Sequence, residues 1–233
     1  MGKMLKSVNE KKDILIVGTN HSKIVFINSE NLTAFDEILL PSIPVSIHTH
    51  GTFDENYQLI VQTHDSIVSI KRGETEHKSI ISRIVNTMVL FGTMVSLFKS
   101  IFVVYQLPLN RTKTSQIVYS SLENKIIFCN FEGEILNTVE CQSRIKMLEP
   151  FFHSHKQLRA VIAVFGREIR FYDEKHMLDI VKFEKTIDWI KYGTYGKEEE
   201  TLIVCFKDGT IAVQTFLETA NFEHKMEYDS VPI

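Results

Sequence analysis

Hydrophobic and polar positions follow one design in five short stretches of this chain. They are LIVGTNHSKIVFIN from Leu15, LIVQTHDSIVSIK from Leu59, IVYSSLENKIIFCN from Ile117, VIAVFGREIRFYD from Val161 and LIVCFKDGTIAVQT from Leu202. In each, a run of β-branched or aromatic residues meets a polar or glycine turn and then a second such run. That pattern predicts an antiparallel β-hairpin. The expected turns are Asn20–Ser22, His64–Ser66, Leu122–Asn124, Phe165–Arg167 and Lys207–Gly209. Their centres lie about 45, 58, 43 and 42 residues apart, and an all-β repeat of about 40–45 residues is the blade period of a propeller.

The repeat is wider than the hairpin. A further β-run precedes four of them: VSIHTH at Val45, IVNTMVLF at Ile84, IKMLEPFF at Ile145 and IDWIKYG at Ile187. A fourth run follows several: AFDEILLP at Ala34, EILNTVE at Glu134 and MLDIVKFE at Met177. Four strands per unit is the make-up of a propeller blade. The first unit reads as lacking its inner strand, and the last as lacking a clear outer one. The links DENYQ, HSHKQ and GKEEET read as surface loops by composition.

One link breaks the pattern. Met88–Leu109 is nearly all apolar, with Lys99 its only charge, and it lies in the longest step of the repeat. Three readings stand: a family-specific insertion at Thr93–Ser115, a retained intron or gene-model error, and a membrane span. About 20 apolar residues are the minimum for a transmembrane helix. A central lysine costs about 2.5–3.5 kcal/mol there. A span would also keep apart β-runs that need to meet in one blade.

Composition narrows the function. The 233 residues carry a net charge of −3, without the basic excess or stripe of a nucleic-acid binder. The termini, 1–12 and 218–233, are charge-rich and read as a solvated N-terminal segment and a polar tail. Cys129, Cys141 and Cys205 are odd in number and show no C-x-x-C spacing, the usage of reduced thiols in a cytosolic protein. The sequons at Asn20, Asn31 and Asn110 read as chance matches without a signal peptide.

No catalytic set emerges, and no cofactor or metal is implied. GTYGK at Gly193 falls short of a phosphate loop, because Lys191 stands where glycine is required. His48 and His50, and His153 and His155, are pairs two apart on a strand, with His64 at a hairpin turn. A zinc site needs three or four ligands, so these read as solvated loop histidines. Trp189, the only tryptophan, reads first as core, with a partner hot spot as the alternative.

Two long segments carry a family resemblance. They are VGTNHSKIVFINSENLTAFDEILLPSIPV from Val17, and Arg159–Phe216, which contains RFYDEKHMLDIV and GTYGKEEETLI. Together they resemble the Bardet–Biedl syndrome 1 family, the propeller-bearing subunits of the BBSome. The resemblance covers residues 5–217, about the later two-thirds of the family's seven-bladed propeller. The insertion at Thr93–Ser115 has no family counterpart. The opening blades and the region after the propeller have none here.

The resemblance implies an all-β fold: a WD40-like β-propeller fragment of about five four-stranded antiparallel blades, open rather than closed, spanning residues 13–217. It implies a non-enzymatic scaffold of a coat-like complex that moves membrane proteins into and out of cilia. Its partners are then other BBSome subunits, an Arf-like small GTPase in its GTP form, and ciliary membrane-protein cargo. Membrane association is peripheral and indirect, and the location is the cytoplasm at the cilium and its base. The alternative is a membrane-anchored propeller using residues 88–109. The family's GTPase surface is built from the first and last blades. In the last, Tyr195, Lys197, Lys207 and Asp208 are the candidate contacts, because they occupy its polar turns.

Overall fold

The computed structural model describes residues 2–7, 13–74, 78–81, 85–90, 117–130, 132–154, 156, 158–196 and 198–216. Every strand in it is antiparallel to its neighbours, and the strands fall into five sheets. The first sheet is β1 (Gly2–Leu5), β2 (Ile14–Gly18), β3 (Lys23–Asn28) and β4 (Ala34–Leu39). The second is β5 (Pro44–His50), β6 (Gln58–Thr63), β7 (Ile67–Lys71) and β8 (Lys78–Ile81). The third is β9 (Val85–Leu90), β10 (Ile117–Ser121), β11 (Lys125–Cys129) and β12 (Ile135–Glu140). The fourth is β13 (Met147–His153), β14 (Leu158–Phe165), β15 (Glu168–Tyr172) and β16 (Met177–Lys182). The last has three strands among the described residues, β17 (Ile187–Tyr195), β18 (Glu198–Phe206) and β19 (Ile211–Thr215). All five hairpin turns fall where the pattern places them.

The first sheet corrects one expectation. Residues 1–12 are not simply a solvated segment, and the first unit does have an inner strand. Gly2–Leu5 pairs with β2, from Gly2 opposite Val17 to Leu5 opposite Ile14. The sequence hides it because Lys3 and Lys6 flank Met4 and Leu5. What makes it a strand is the pairing edge of β2 and the burial of Leu5, which is 1% exposed.

The chain divides into two compact units. The first comprises Met1–Val85 with Phe131–Gly133, and the second Asn86–Asn130 with Glu134–Ile233. In the first unit, alternate residues of β2 and β3 (Ile14, Ile16, Ile24 and Phe26) point into one core with Ile47, Leu59, Val61, Val68 and Ile70 of the second sheet. An aromatic group closes it: Phe53 stacks on Tyr57 with centroids 5.7 Å apart, and Phe26 lies 5.8 Å from Tyr57. The loop bearing Phe53 is tied down by its own N–H donating to the Lys6 carbonyl at 2.9 Å.

Among its described residues the second unit has two cores. One joins the third and fourth sheets through Val118, Ile126, Phe128, Val161, Ala163, Phe165 and Tyr172. The other joins the fourth and last sheets through Phe151, Ile162, Val164, Ile169, Phe171, Ile190, Leu202 and Val204. The central β14 is buried at each residue from Ala160 to Phe165, so its sequence is a continuous apolar run rather than an alternation. In the four complete sheets, the pairing of the third strand with the fourth slips by a bulge.

The long apolar link falls largely outside the described residues, which omit 91–116. Val85–Leu90, where the run begins, is strand β9. Among the described residues no helix is long and apolar enough to cross a membrane.

Candidate docking turns of the last sheet

The last sheet buries one face and exposes much of the other. Ile190, Leu202, Val204 and Phe206 pack onto the fourth sheet, with Tyr192 and Ala212 partly buried against them. On the opposite face Trp189 pairs across to Cys205, and Cys205 to Ile211. Val213 shares that face, opposite Ile203. Trp189 is 41% exposed, so its reading as core is corrected. A bulge between Ile187 and Trp189 shifts the register there, and Trp189 lies on the face away from the core.

Among the described residues the candidate contacts do not form one patch. Tyr195 ends β17 and is half-exposed, beside the turn to β18; Lys197 lies outside the described residues. Lys207 and Asp208 occupy the β18–β19 turn at the opposite end. Nine residues of β18 separate the two turns, on the order of 25 Å at strand rise.

The Lys207–Gly209 turn is held by its own chemistry. Asp208 Oδ1 accepts from the Thr210 N–H at 3.0 Å and from the Thr210 hydroxyl at 2.6 Å. Its Oδ2 lies 2.8 Å from the Lys185 ammonium. The Lys185 ammonium and these two Thr210 donors hold the Asp208 carboxyl well below the usual carboxylate range. Gly209 closes the turn at a φ of +83°, and a Cβ there would have open space around it. Gly209→Ala is therefore expected to cost about 1 kcal/mol, from backbone strain alone. Gly209→Asn should cost less, because asparagine tolerates the left-handed region. Urea midpoints of the two variants check this ranking.

A polar seam binds the last sheet to the fourth along the length of β17, from the Ile187 end to the Tyr195 end. Lys146 Nζ donates to the Ile187 carbonyl at 2.8 Å. The buried Glu149 accepts from Lys191 Nζ at 2.7 Å and from the Tyr192 N–H at 3.1 Å. The Tyr192 hydroxyl donates to the Phe152 carbonyl at 2.7 Å, and burial with the nearby Glu200 pushes its pKa up. At the far end the Glu200 carboxylate accepts from the Ser154 N–H at 2.5 Å and lies 3.6 Å from His153 Nδ1. Sequence reasoning missed this seam. Its one visible trace is Glu149, an acid within the apolar run MLEPFF.

The remaining candidates stay apart. His48 and His50 sit on β5 opposite Ile60 and Gln58. His153 is fully buried rather than solvated, and His155 lies outside the described residues. Among the described residues no three His, Cys, Asp or Glu side chains are grouped to hold a metal ion. The segment Gly193–Gly196 ends a strand and enters a hairpin turn, unlike the loop-to-helix geometry of a phosphate site.

The cysteines are free, and Cys129 is fully buried, with its thiol 3.6 Å from the Ile117 carbonyl. Burial pushes the Cys129 thiol up to about 12, from 9.0. Cys129 is accordingly expected to resist alkylation at pH 8 until the chain unfolds, whereas Cys205 labels in the native state. The raised thiol favours the neutral form in the folded protein. Its contribution to stability is complete below about pH 9 and is lost as pH rises toward 12. Mass spectrometry after timed labelling, and melting curves across that window, check both statements.

Comparison with known proteins identifies relatives. Residues 1–72 match the family model described as ciliary BBSome complex subunit 1. Over 210 residues, 89% of this chain, it is 22% identical to the mouse protein "BBSome complex member BBS1". It is 23% identical to the human protein of the same name over the same share. The chain spans 32% of the length of each, about a third. Its fold matches the crystal structure of BBS1N in complex with ARL6DN, soaked with lead, with a TM-score of 0.76 at 18% identity. That match covers 96% of this chain and 64% of the other. The all-β architecture is thus that of the BBS1 N-terminal propeller.

Proposed function

From a chain homologous to the BBSome subunit BBS1, we propose a non-enzymatic scaffold in the coat-like complex that carries membrane proteins into and out of cilia. The observation that carries this reading is the agreement of two sequence matches. The family model covers residues 1–72, and the mouse and human relatives match over 210 residues that extend to most of the chain. The partners are other BBSome subunits, ciliary membrane-protein cargo and an Arf-like small GTPase in its GTP-bound state. The GTPase brings the complex to the membrane, so the protein works in the cytoplasm at the ciliary base and along the ciliary membrane. That partner is transferred from the structural relative, which was crystallised with ARL6.

The last sheet supplies the GTPase contact in this reading, and its two turns are unequal. Asp208 is spent on Thr210 and Lys185, whereas the Tyr195 ring is exposed and free to be covered. Tyr195, with Lys197 two residues on in sequence, is the stronger pair, and Lys207 the weaker contact. Calorimetric titration with the GTP- and GDP-loaded GTPase tests the proposal. It is run on this chain alone, and on this chain completed with the propeller segment of BBS1N that it does not span. The completed form is expected to bind the GTP state selectively and more tightly than the chain alone. Binding of both nucleotide states equally, or of neither, by the completed form would overturn the assignment.

A further inference from the structure

Strand β18, which leaves the Tyr195 turn, carries an unusual residue near its start. Gly193 pairs with Thr201, and Tyr195 with Glu198, so Glu199 and Glu200 together face Thr194. This is a β-bulge, a device that bends a strand and re-aims a side chain. Glu200 adopts a φ of +56° within it, a left-handed backbone that costs a non-glycine residue on the order of 1–2 kcal/mol. Something must hold it there.

The holding contacts come from two directions. The Glu200 carbonyl accepts from the Phe216 N–H at 3.2 Å, at the end of β19. Its carboxylate turns the other way, onto the Ser154 N–H at 2.5 Å and toward His153 Nδ1 at 3.6 Å. His153 is fully buried at the end of β13, and the Glu200 side chain is only 12% exposed. Glu198, Glu199 and Tyr195 face solvent instead. The bulge therefore sends one acid inward as an anchor and presents the rest of the turn outward.

We propose that Glu200 is a positioning residue: it fixes the Tyr195 turn to the fourth sheet and so pre-organises that turn for the GTPase. The docking clause rests on the function proposed above; the anchoring clause does not. Ordering a turn before it binds removes an entropic cost of association. A residue that touches no partner can then govern affinity.

The test uses two variants of the full chain. Glu200→Gly keeps the left-handed backbone without strain and removes the carboxylate. Glu200→Gln keeps an oxygen for the Ser154 N–H. In hydrogen exchange without any partner, Glu200→Gly is expected to speed exchange of the turn amides by about tenfold, the loss of one charge-assisted hydrogen bond, with β14 protection intact. Glu200→Gln should restore most of the protection. Unchanged exchange in Glu200→Gly overturns the anchoring clause, whatever the GTPase does. In titrations with the GTP-loaded GTPase, Glu200→Gly should weaken binding by about tenfold, and Glu200→Gln should recover it. Faster exchange with unaltered affinity overturns the docking clause. If the unsubstituted chain, completed as above, binds no GTPase, the proposed function fails while the exchange result still decides the anchor.

Discussion

Replacing Phe171 by alanine is expected to destabilise the second unit by about 3–5 kcal/mol, the usual loss for truncating a buried aromatic ring. Phe171 is fully buried, and its ring meets Phe151 edge-on at 5.1 Å and Phe216 at 5.8 Å. Phe151 in turn contacts Tyr192 at 4.8 Å and Phe216 at 5.1 Å, so the Phe171 ring belongs to a continuous aromatic cluster. Removing it leaves a cavity whose walls belong to two sheets and cannot both collapse inward. Val213→Ala is the control: Val213 is 63% exposed on the last sheet, and its truncation should change stability by no more than about 0.5 kcal/mol. Urea unfolding of both variants gives the comparison. A Phe171→Ala cost under about 1 kcal/mol would show that the fourth and last sheets do not share this core.

Lys191→Met is expected to cost about 2–3 kcal/mol at neutral pH, more than an exposed lysine ordinarily contributes. The reason is its partner. The Glu149 side chain is 8% exposed, and Lys191 Nζ at 2.7 Å is the cation the structure gives it. Methionine keeps the length and apolar stem of lysine but leaves the buried carboxylate with the Tyr192 N–H alone. Urea midpoints of the variant and the parent give the cost. A difference under about 0.5 kcal/mol would mean that Lys191 contributes no more than an ordinary exposed lysine. The double variant Lys191→Met with Glu149→Gln should recover part of the loss, because a neutral amide still accepts the Tyr192 hydrogen bond.

The five hairpins, their turns and most of the flanking strands were legible in the sequence. Each rests on local chemistry: a period of two for a half-buried strand, a polar or glycine break for a turn, a repeated spacing for the blade. The turn at Lys207–Gly209 is of this kind, since Asp208, Gly209 and Thr210 close it among themselves with help from Lys185. Family resemblance was legible for the same reason, as ordered blocks of residues along the chain. Tertiary structure decided the rest. Gly2–Leu5 became a strand only because β2 offers an edge and a core for Leu5. Trp189 went to the exposed face because a bulge set its register, and no periodicity reveals a bulge. Glu149 met Lys191 of β17, and His153 met Glu200 of β18, although each pair is far apart in sequence; only packing of one sheet on the next makes them neighbours. The candidate contacts divided in the same way. Tyr195, Lys207 and Asp208 all read as turn residues, but the length of β18 put them at opposite ends of the sheet. A sequence specifies which residues can turn or pair; the distance between two turns, and which carboxylate is buried between them, follow from the strands that separate them.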